Sequence, residues 1–166
     1  MAYKKLGFII FHQIPEPIKT ILKIKEDTWF GNFSKSFCQE NNVHIGARAF
    51  VKEELAFLTE NKIKTISDKD IREGNGPRLI KDAISIFDKI YTSFDLDVLD
   101  PAFAPGVGNP ESVGITSREL FDMIHSLGDK QVIGVDIVEL NPTHDNGVTA
   151  SLAAKIMSTM LALNLK

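Results

Sequence analysis

A single cysteine, Cys38, stands in the 166 residues, so no intrachain disulfide can form. It lies in a polar stretch, Ser34-Lys-Ser-Phe-Cys-Gln-Glu, without a neighbouring histidine. A free thiol there suits a reducing, cytoplasmic setting and not a nucleophilic role. Long apolar runs are also missing. Two lysines and then only Leu6-Gly-Phe-Ile-Ile-Phe (6–11) precede His12, too short for a signal peptide's core or a membrane helix. Basic clusters are scarce: with 19 Lys and Arg against 22 Asp and Glu, the net charge is −3. Lys4-Lys5 and the lysines of 19–25 read as a solvated helix face, and a nucleic-acid surface is excluded. No repeat or low-complexity tract interrupts the chain. Its 43% hydrophobic and 25% charged content is that of one ordinary globular domain with a real core.

What the chain does have is an alternation of short apolar segments and amphipathic ones. Strands are expected at 6–11, 43–47, 62–66, 89–95 and 131–138, and helices at 15–25, 50–61, 76–88, 117–128 and 147–163. In 50–61, Phe50, Leu55, Phe57 and Leu58 form an apolar face. Met157 and Met160, three apart in the last helix, should pack on the sheet. Such alternation predicts an α/β fold: three layers, α/β/α, around a mainly parallel sheet whose functional crevice lies beyond the strands' carboxyl ends. Residues 26–42, with Trp29, Phe30, Phe33 and Phe37, fit no element clearly. Their aromatics either pack on the sheet or mark a partner surface.

The polar end of the fourth apolar run is its most informative part. Residues 93–101 read Ser-Phe-Asp-Leu-Asp-Val-Leu-Asp-Pro. Side chains two apart on a strand share a face, so Asp95 and Asp97 are expected to point the same way. Two adjacent carboxylates repel unless a cation lies between them, and a hard divalent metal suits the pair. A solvated strand end is the plainer alternative. The segment 102–116 that follows carries enough proline and glycine to be shaped rather than floppy. A helix should then start near Ser117, capped by Thr116 or Ser117 with Glu119 in its first turn.

Three segments carry a family likeness. Ser93-Phe-Asp-Leu-Asp-Val-Leu-Asp-Pro-Ala-Phe-Ala-Pro-Gly-Val-Gly resembles the last signature of the ureohydrolases, the arginase and agmatinase family. Gly134-Val-Asp-Ile-Val-Glu-Leu-Asn-Pro-Thr-His-Asp resembles a further family segment at the expected distance, and His44-Ile-Gly-Ala-Arg does so more weakly. The resemblance covers about residue 43 to the C-terminus and takes in roughly the family's C-terminal half. It implies an arginase-like sheet, truncated, in a single domain over 1–166 with 1–42 divergent. It also implies hydrolysis of a small cationic guanidino compound, agmatinase- or arginase-like, to urea and an amine. In that family two manganese ions share a bridging hydroxide that attacks the guanidinium carbon.

By the resemblance, Asp95 bridges the metals, Asp97 binds one of them, and Ser93 and Asp100 orient the ligands. Glu139 anchors the planar guanidinium through two parallel hydrogen bonds, and His144, in a loop with Asp145, flanks the pocket. Each has a plainer alternative. Asp100 precedes a proline and can simply hold a turn, Glu139 and His144 can be solvated, and Asp136 inside its strand reads as structural.

The family's earlier ligand segments are the difficulty. No Gly-Gly-Asp-His occurs in this chain. Where the family has Asp-Ala-His-x-Asp, this sequence reads His12-Gln13-Ile14-Pro15-Glu16. His12 and Glu16 are therefore weak candidate replacement ligands, in a segment that otherwise reads as decayed or rebuilt. The alternative function is a non-catalytic member of the fold, or one subunit of a split enzyme. A homo-oligomer, or a partner chain covering the truncated sheet, is expected on either reading.

Overall fold

The computed structural model describes residues 6–12, 41–48, 52–60 and 63–165. Five strands run in chain order: β1 (Leu6–Phe11), β2 (Asn42–Ala47), β3 (Lys64–Ser67), β4 (Lys89–Asp95) and β5 (Gln131–Val138). They form one sheet in the order β3-β2-β1-β4-β5, and every pairing is parallel. The helices are α1 (Lys52–Glu60), α2 (Asp68–Arg72), α3 (Gly76–Ile84), α4 (Ser117–Ser126) and α5 (Val148–Asn164).

The chain steps from β1 through β2 to β3, then returns across the sheet to β4 and continues to β5. α1 connects β2 to β3, α2 and α3 lie on the return from β3 to β4, and α4 connects β4 to β5. α3 packs on α4, which in turn packs with β5 against α5. The expected α/β sandwich is what forms. Between β1 and β4 the winding reverses, and that gap is where such sheets open a crevice.

Alternation along β4 builds the core and the site at once. Ile90, Thr92 and Phe94 are buried under the helices, while Lys89, Tyr91, Ser93 and Asp95 are half-buried on the opposite face. Phe94 stacks on Phe11 of β1 at 4.7 Å between ring centres. Each ring contributes roughly 1.5–3 kcal/mol by leaving water. On the other face Tyr91 tilts against Phe8, 6.0 Å away, and its ring lies over Gly134, where a Cβ would come within 2.6 Å of it.

Helix ends follow local chemistry. Thr116 caps α4 in a reciprocal box with Glu119, the start expected from sequence. α3 stops at Ile84, short of the expected 88, because the Phe87 N–H turns back to the Ile84 carbonyl. The short α2 is an addition to the expected elements. It is nucleated by a second box in which Ser67 and Asp70 cap each other. Met160 and Leu58 are buried, whereas the expected helix 15–25, the aromatics of 26–37 and Cys38 lie outside the described residues. Among the described residues no helix is long and apolar enough to cross a membrane.

Candidate active site

The carboxyl end of β4 departs from a simple strand. The strand stops at Asp95, and Leu96–Val98 form one 3₁₀ turn. Asp95 and Asp97 therefore do not share a strand face, as alternation alone had led us to expect. Asp95 instead caps the turn, its Oδ1 accepting the Asp97 N–H at 2.9 Å. A local side-chain acceptor competes with the ladder for that N–H and wins, as Asp often does at strand and helix ends. The two carboxylates stay neighbours by this route.

The turn is held from outside by Arg48, which follows β2. Its guanidinium donates to the Val98 carbonyl at 3.0 Å, the Asp97 carbonyl at 3.1 Å and the Glu111 carbonyl at 2.9 Å. One planar cation thus ties the turn to the loop beyond it. Gly46, at φ +84°, admits the Val98 side chain against its Cα, where any Cβ would collide with it.

Glu139 comes from the residue after β5 and sits at φ 65°, a left-handed conformation uncommon outside glycine. Its carboxylate lies over Gly108, where a Cβ would fall 2.6 Å from Oε2. The next residue, Asn109, donates its N–H to Asp97 Oδ1 at 3.3 Å. Residues 108 and 109 thereby bring Glu139 and Asp97 to one spot.

That loop is fixed. Val107 bridges Leu140, the Asn141 N–H donates to the Gly106 carbonyl at 2.8 Å, and the Gly106 N–H donates to Thr149 Oγ1 at 2.7 Å. Asp145 accepts from the Gly147 and Thr149 N–H groups at the start of α5, and the Thr149 side chain first, then these N–H groups, hold its carboxyl below the usual range. The His144 ring contacts the Val107 carbonyl through Nδ1 at 2.8 Å and Asn141 through Nε2 at 3.2 Å. His144 is thus built into the wall of the loop.

The electrostatics are those of crowded acids. Burial pushes Asp95 up to about 7, with the charges of Asp97 and Glu139 adding to it against the Asp97 N–H. Burial likewise raises Asp97 to about 6, and the Glu139 charge adds while the Asn109 N–H opposes. A cation between these groups would relieve both causes.

The other expected residues are placed as follows. The Ser93 hydroxyl donates to Asp136 Oδ1 at 2.6 Å, and Tyr91 Oη donates to Asp136 Oδ2 at 2.6 Å. Asp136 therefore pairs with the neighbouring strand, the structural role expected of it. Asp100 accepts from the Ala102 and Gly114 N–H groups, which lower its pKa and close the turn before the proline-rich segment. His12 directly follows β1, one residue beyond the Phe11–Phe94 pair that ends the β1–β4 register. Its Nε2 meets His44 Nδ1, and burial followed by the charge of His12 holds His44 well below the ordinary imidazole range. Glu16 lies outside the described residues. Among those described, no group of three or more His, Cys, Asp or Glu is assembled to hold a metal, so His12 does not complete a set with Asp95 and Asp97. Those two carboxylates fit a manganese ion as part of its shell, and the rest of a binuclear ligand set is not found among the described residues.

The part played by Arg48 and Gly108 was not drawn from the sequence. The His44-Ile-Gly-Ala-Arg segment was the available signal for the first.

Comparison with known proteins decides the ancestry. Residues 22–162 match the profile of the arginase family. The chain belongs to that family. Its sequence is 38% identical to an agmatinase of Bacillus subtilis over 125 residues, 73% of this chain and 42% of that protein. It is 36% identical to a guanidinopropionase of Pseudomonas aeruginosa over 126 residues, 73% of this chain and 40% of that one. The arginase of Bacillus caldovelox superposes with a TM-score of 0.81 at 28% identity, over 94% of this chain and 60% of that chain. This arginase-family chain thus spans about two-fifths of the curated relatives it matches, and the match falls in their C-terminal part.

Proposed function

We propose that this chain contributes to a hydrolase of small guanidino compounds, releasing urea and an amine. The observation that carries the reading is the convergence of Asp95, Asp97 and Glu139 at the carboxyl ends of β4 and β5, with the two aspartates raised by burial. In this reading Asp95 and Asp97 hold manganese, which when bound lowers the pKa of water and polarises the substrate carbon. Glu139 receives the guanidinium through parallel N–H···O⁻ bonds that fix its plane. His144, locked to Val107, shapes the entrance on the side of α5. Relatives named agmatinase and guanidinopropionase support the substrate class.

A second reading is favoured by the ligand set. Two carboxylates do not make a six-ligand shell, and the described residues add no third. On that reading the chain is one part of a site completed elsewhere. Manganese stoichiometry, by elemental analysis of purified chain with Asp97→Ala as control, separates the two. About two ions per chain, lost in the variant, together with urea release from agmatine, arginine or guanidinobutyrate, supports the first. None supports the second.

A further inference from the structure

We propose that Asn146-Gly147, in the turn that leads into α5, is a site of self-modification. The Gly147 nitrogen attacks the Asn146 side-chain amide, Asp145 takes the proton, and the asparagine becomes aspartate or isoaspartate. The sequence holds two Asn-Gly pairs, Asn75-Gly76 and Asn146-Gly147. Glycine after asparagine leaves the attacking nitrogen unshielded, since it carries no Cβ. The fold treats the two pairs differently.

Asn75 is locked. Its backbone is helical at φ −85° and ψ −16°, its N–H donates to the Asp70 carbonyl at 3.0 Å, and its carbonyl accepts the Leu79 N–H at 2.9 Å. Gly76 is buried, with Met123 Sδ 3.1 Å from where a Cβ would stand. Bringing the Gly76 nitrogen onto the Asn75 side chain takes ψ out of the helical region and unwinds the start of α3. Asn146, by contrast, is exposed and belongs to no helix or strand. Among the described residues its side-chain amide has no hydrogen-bond partner. Gly147 sits at φ 99°, and a Cβ added there would meet nothing within 4 Å. Its N–H donates to Asp145 Oδ1 at 2.9 Å. The nitrogen that must lose a proton therefore already shares it with a carboxylate.

The reaction balances with water as the only co-reactant. The Gly147 proton passes to Asp145 Oδ1 as the nitrogen bonds to Asn146 Cγ and closes a ring. The Cγ–Nδ2 bond then breaks, Nδ2 carries the proton away as ammonia, and a succinimide remains. Water opens either carbonyl of that ring. One opening gives aspartate, and the other routes the main chain through the side chain and lengthens it by a methylene, as isoaspartate. The wall of the candidate site hangs from this turn. Asp145 Oδ2 accepts the Thr149 N–H at 2.7 Å, and Thr149 Oγ1 accepts the Gly106 N–H at 2.7 Å. Lengthening the chain at 146 draws Asp145 off Gly147 and loosens residues 106–108, over which Glu139 lies.

The test is peptide mapping by mass spectrometry of the purified 166-residue chain after ageing at mildly alkaline pH, with the aspartate and isoaspartate peptides separated by chromatography. In the folded chain the Asn146 peptide is expected to exchange NH₂ for OH at least about tenfold faster than the Asn75 peptide, the margin that opening the start of α3 imposes. In concentrated urea the two rates should converge. Asn146→Gln should abolish the fast conversion. Asp145→Asn should slow it several-fold by removing the proton's acceptor, with Asn75 in the same digest reporting that the variant stays folded. Equal rates in the folded chain, or a faster Asn75, overturn the proposal. A rate that Asp145→Asn leaves unchanged or raises overturns the part given to Asp145.

Discussion

Gly108 lies directly against the Glu139 carboxylate, so close that a methyl group at 108 would stand 2.6 Å from Oε2. The obstructed atom is the end of a flexible side chain, so the side chain can swing aside. Gly108→Ala is therefore expected to leave stability within about 1 kcal/mol of the parent while displacing the carboxylate. Charge-assisted hydrogen bonds are worth about 1.5–3 kcal/mol, so affinity for a guanidino ligand should fall roughly tenfold or more. Calorimetric titration with agmatine, alongside thermal unfolding, checks both halves. An unfolded variant, or unchanged affinity, refutes the assignment.

The raised aspartates give a pH dependence with a definite sign. Asp95 at about 7 and Asp97 at about 6 hold protons in the folded chain that the unfolded chain releases near pH 4. The folded state binds more protons in that window, so metal-free stability should fall as pH rises from about 4 to about 7 and then level off. Asp97→Asn should stabilise the metal-free protein at pH 8 by on the order of 1 kcal/mol, and should do nothing at pH 4. Metal binding requires the carboxylates ionised, so manganese affinity should rise across the same interval. Denaturant titrations with and without chelator supply the measurement.

Arg48 offers a test of what holds the site together. Its guanidinium serves three carbonyls, two in the Leu96–Val98 turn and one at Glu111. Removing it leaves those acceptors short of a planar donor, at a cost of about 1–3 kcal/mol for Arg48→Ala. Lysine keeps the charge but lacks the fork, so Arg48→Lys should recover less than half of the loss. Chemical denaturation of the three proteins decides it.

The parallel sheet could be read in advance because each strand carries its own apolar run, and β1, β4 and β5 fall where those runs lie. Asp95 and Asp97 stood out because carboxylates at a strand end break the apolar pattern, whereas Glu139 was singled out by the family resemblance. The 3₁₀ turn could not. It depends on Asp95 capturing the Asp97 N–H and on Arg48, 49 residues earlier, gripping the Asp97 carbonyl, a contact that no local pattern encodes. Glycine at 108 is similarly silent until the fold brings Glu139 over it. The α2 turn was missed for a smaller reason: Ser67 and Asp70 form a capping box with only five residues of helix behind it.

Ser93 and Tyr91 both donate to Asp136, and this triad gives a prediction independent of metal. The hydrogen bond to the Asp136 carboxylate is the main cause that raises the Tyr91 phenol to about 12, with burial and the Asp136 charge adding to it. The sequence has two tyrosines, so a Tyr3→Phe background leaves Tyr91 as the only phenol to titrate. In that background Asp136→Asn removes the charge and weakens the acceptor, so Tyr91 should ionise closer to the ordinary phenol value near 10. The folded phenol holds its proton longer than the unfolded one, so it subtracts from stability as pH climbs from about 10 toward 12, and the Asn variant should lose that slope. Ser93→Ala takes away one donor to Asp136 and should cost about 1 kcal/mol. Ultraviolet titration of the phenol reads the first effect and denaturant unfolding the second. An unmoved Tyr91 would mean that burial, and not Asp136, governs its proton.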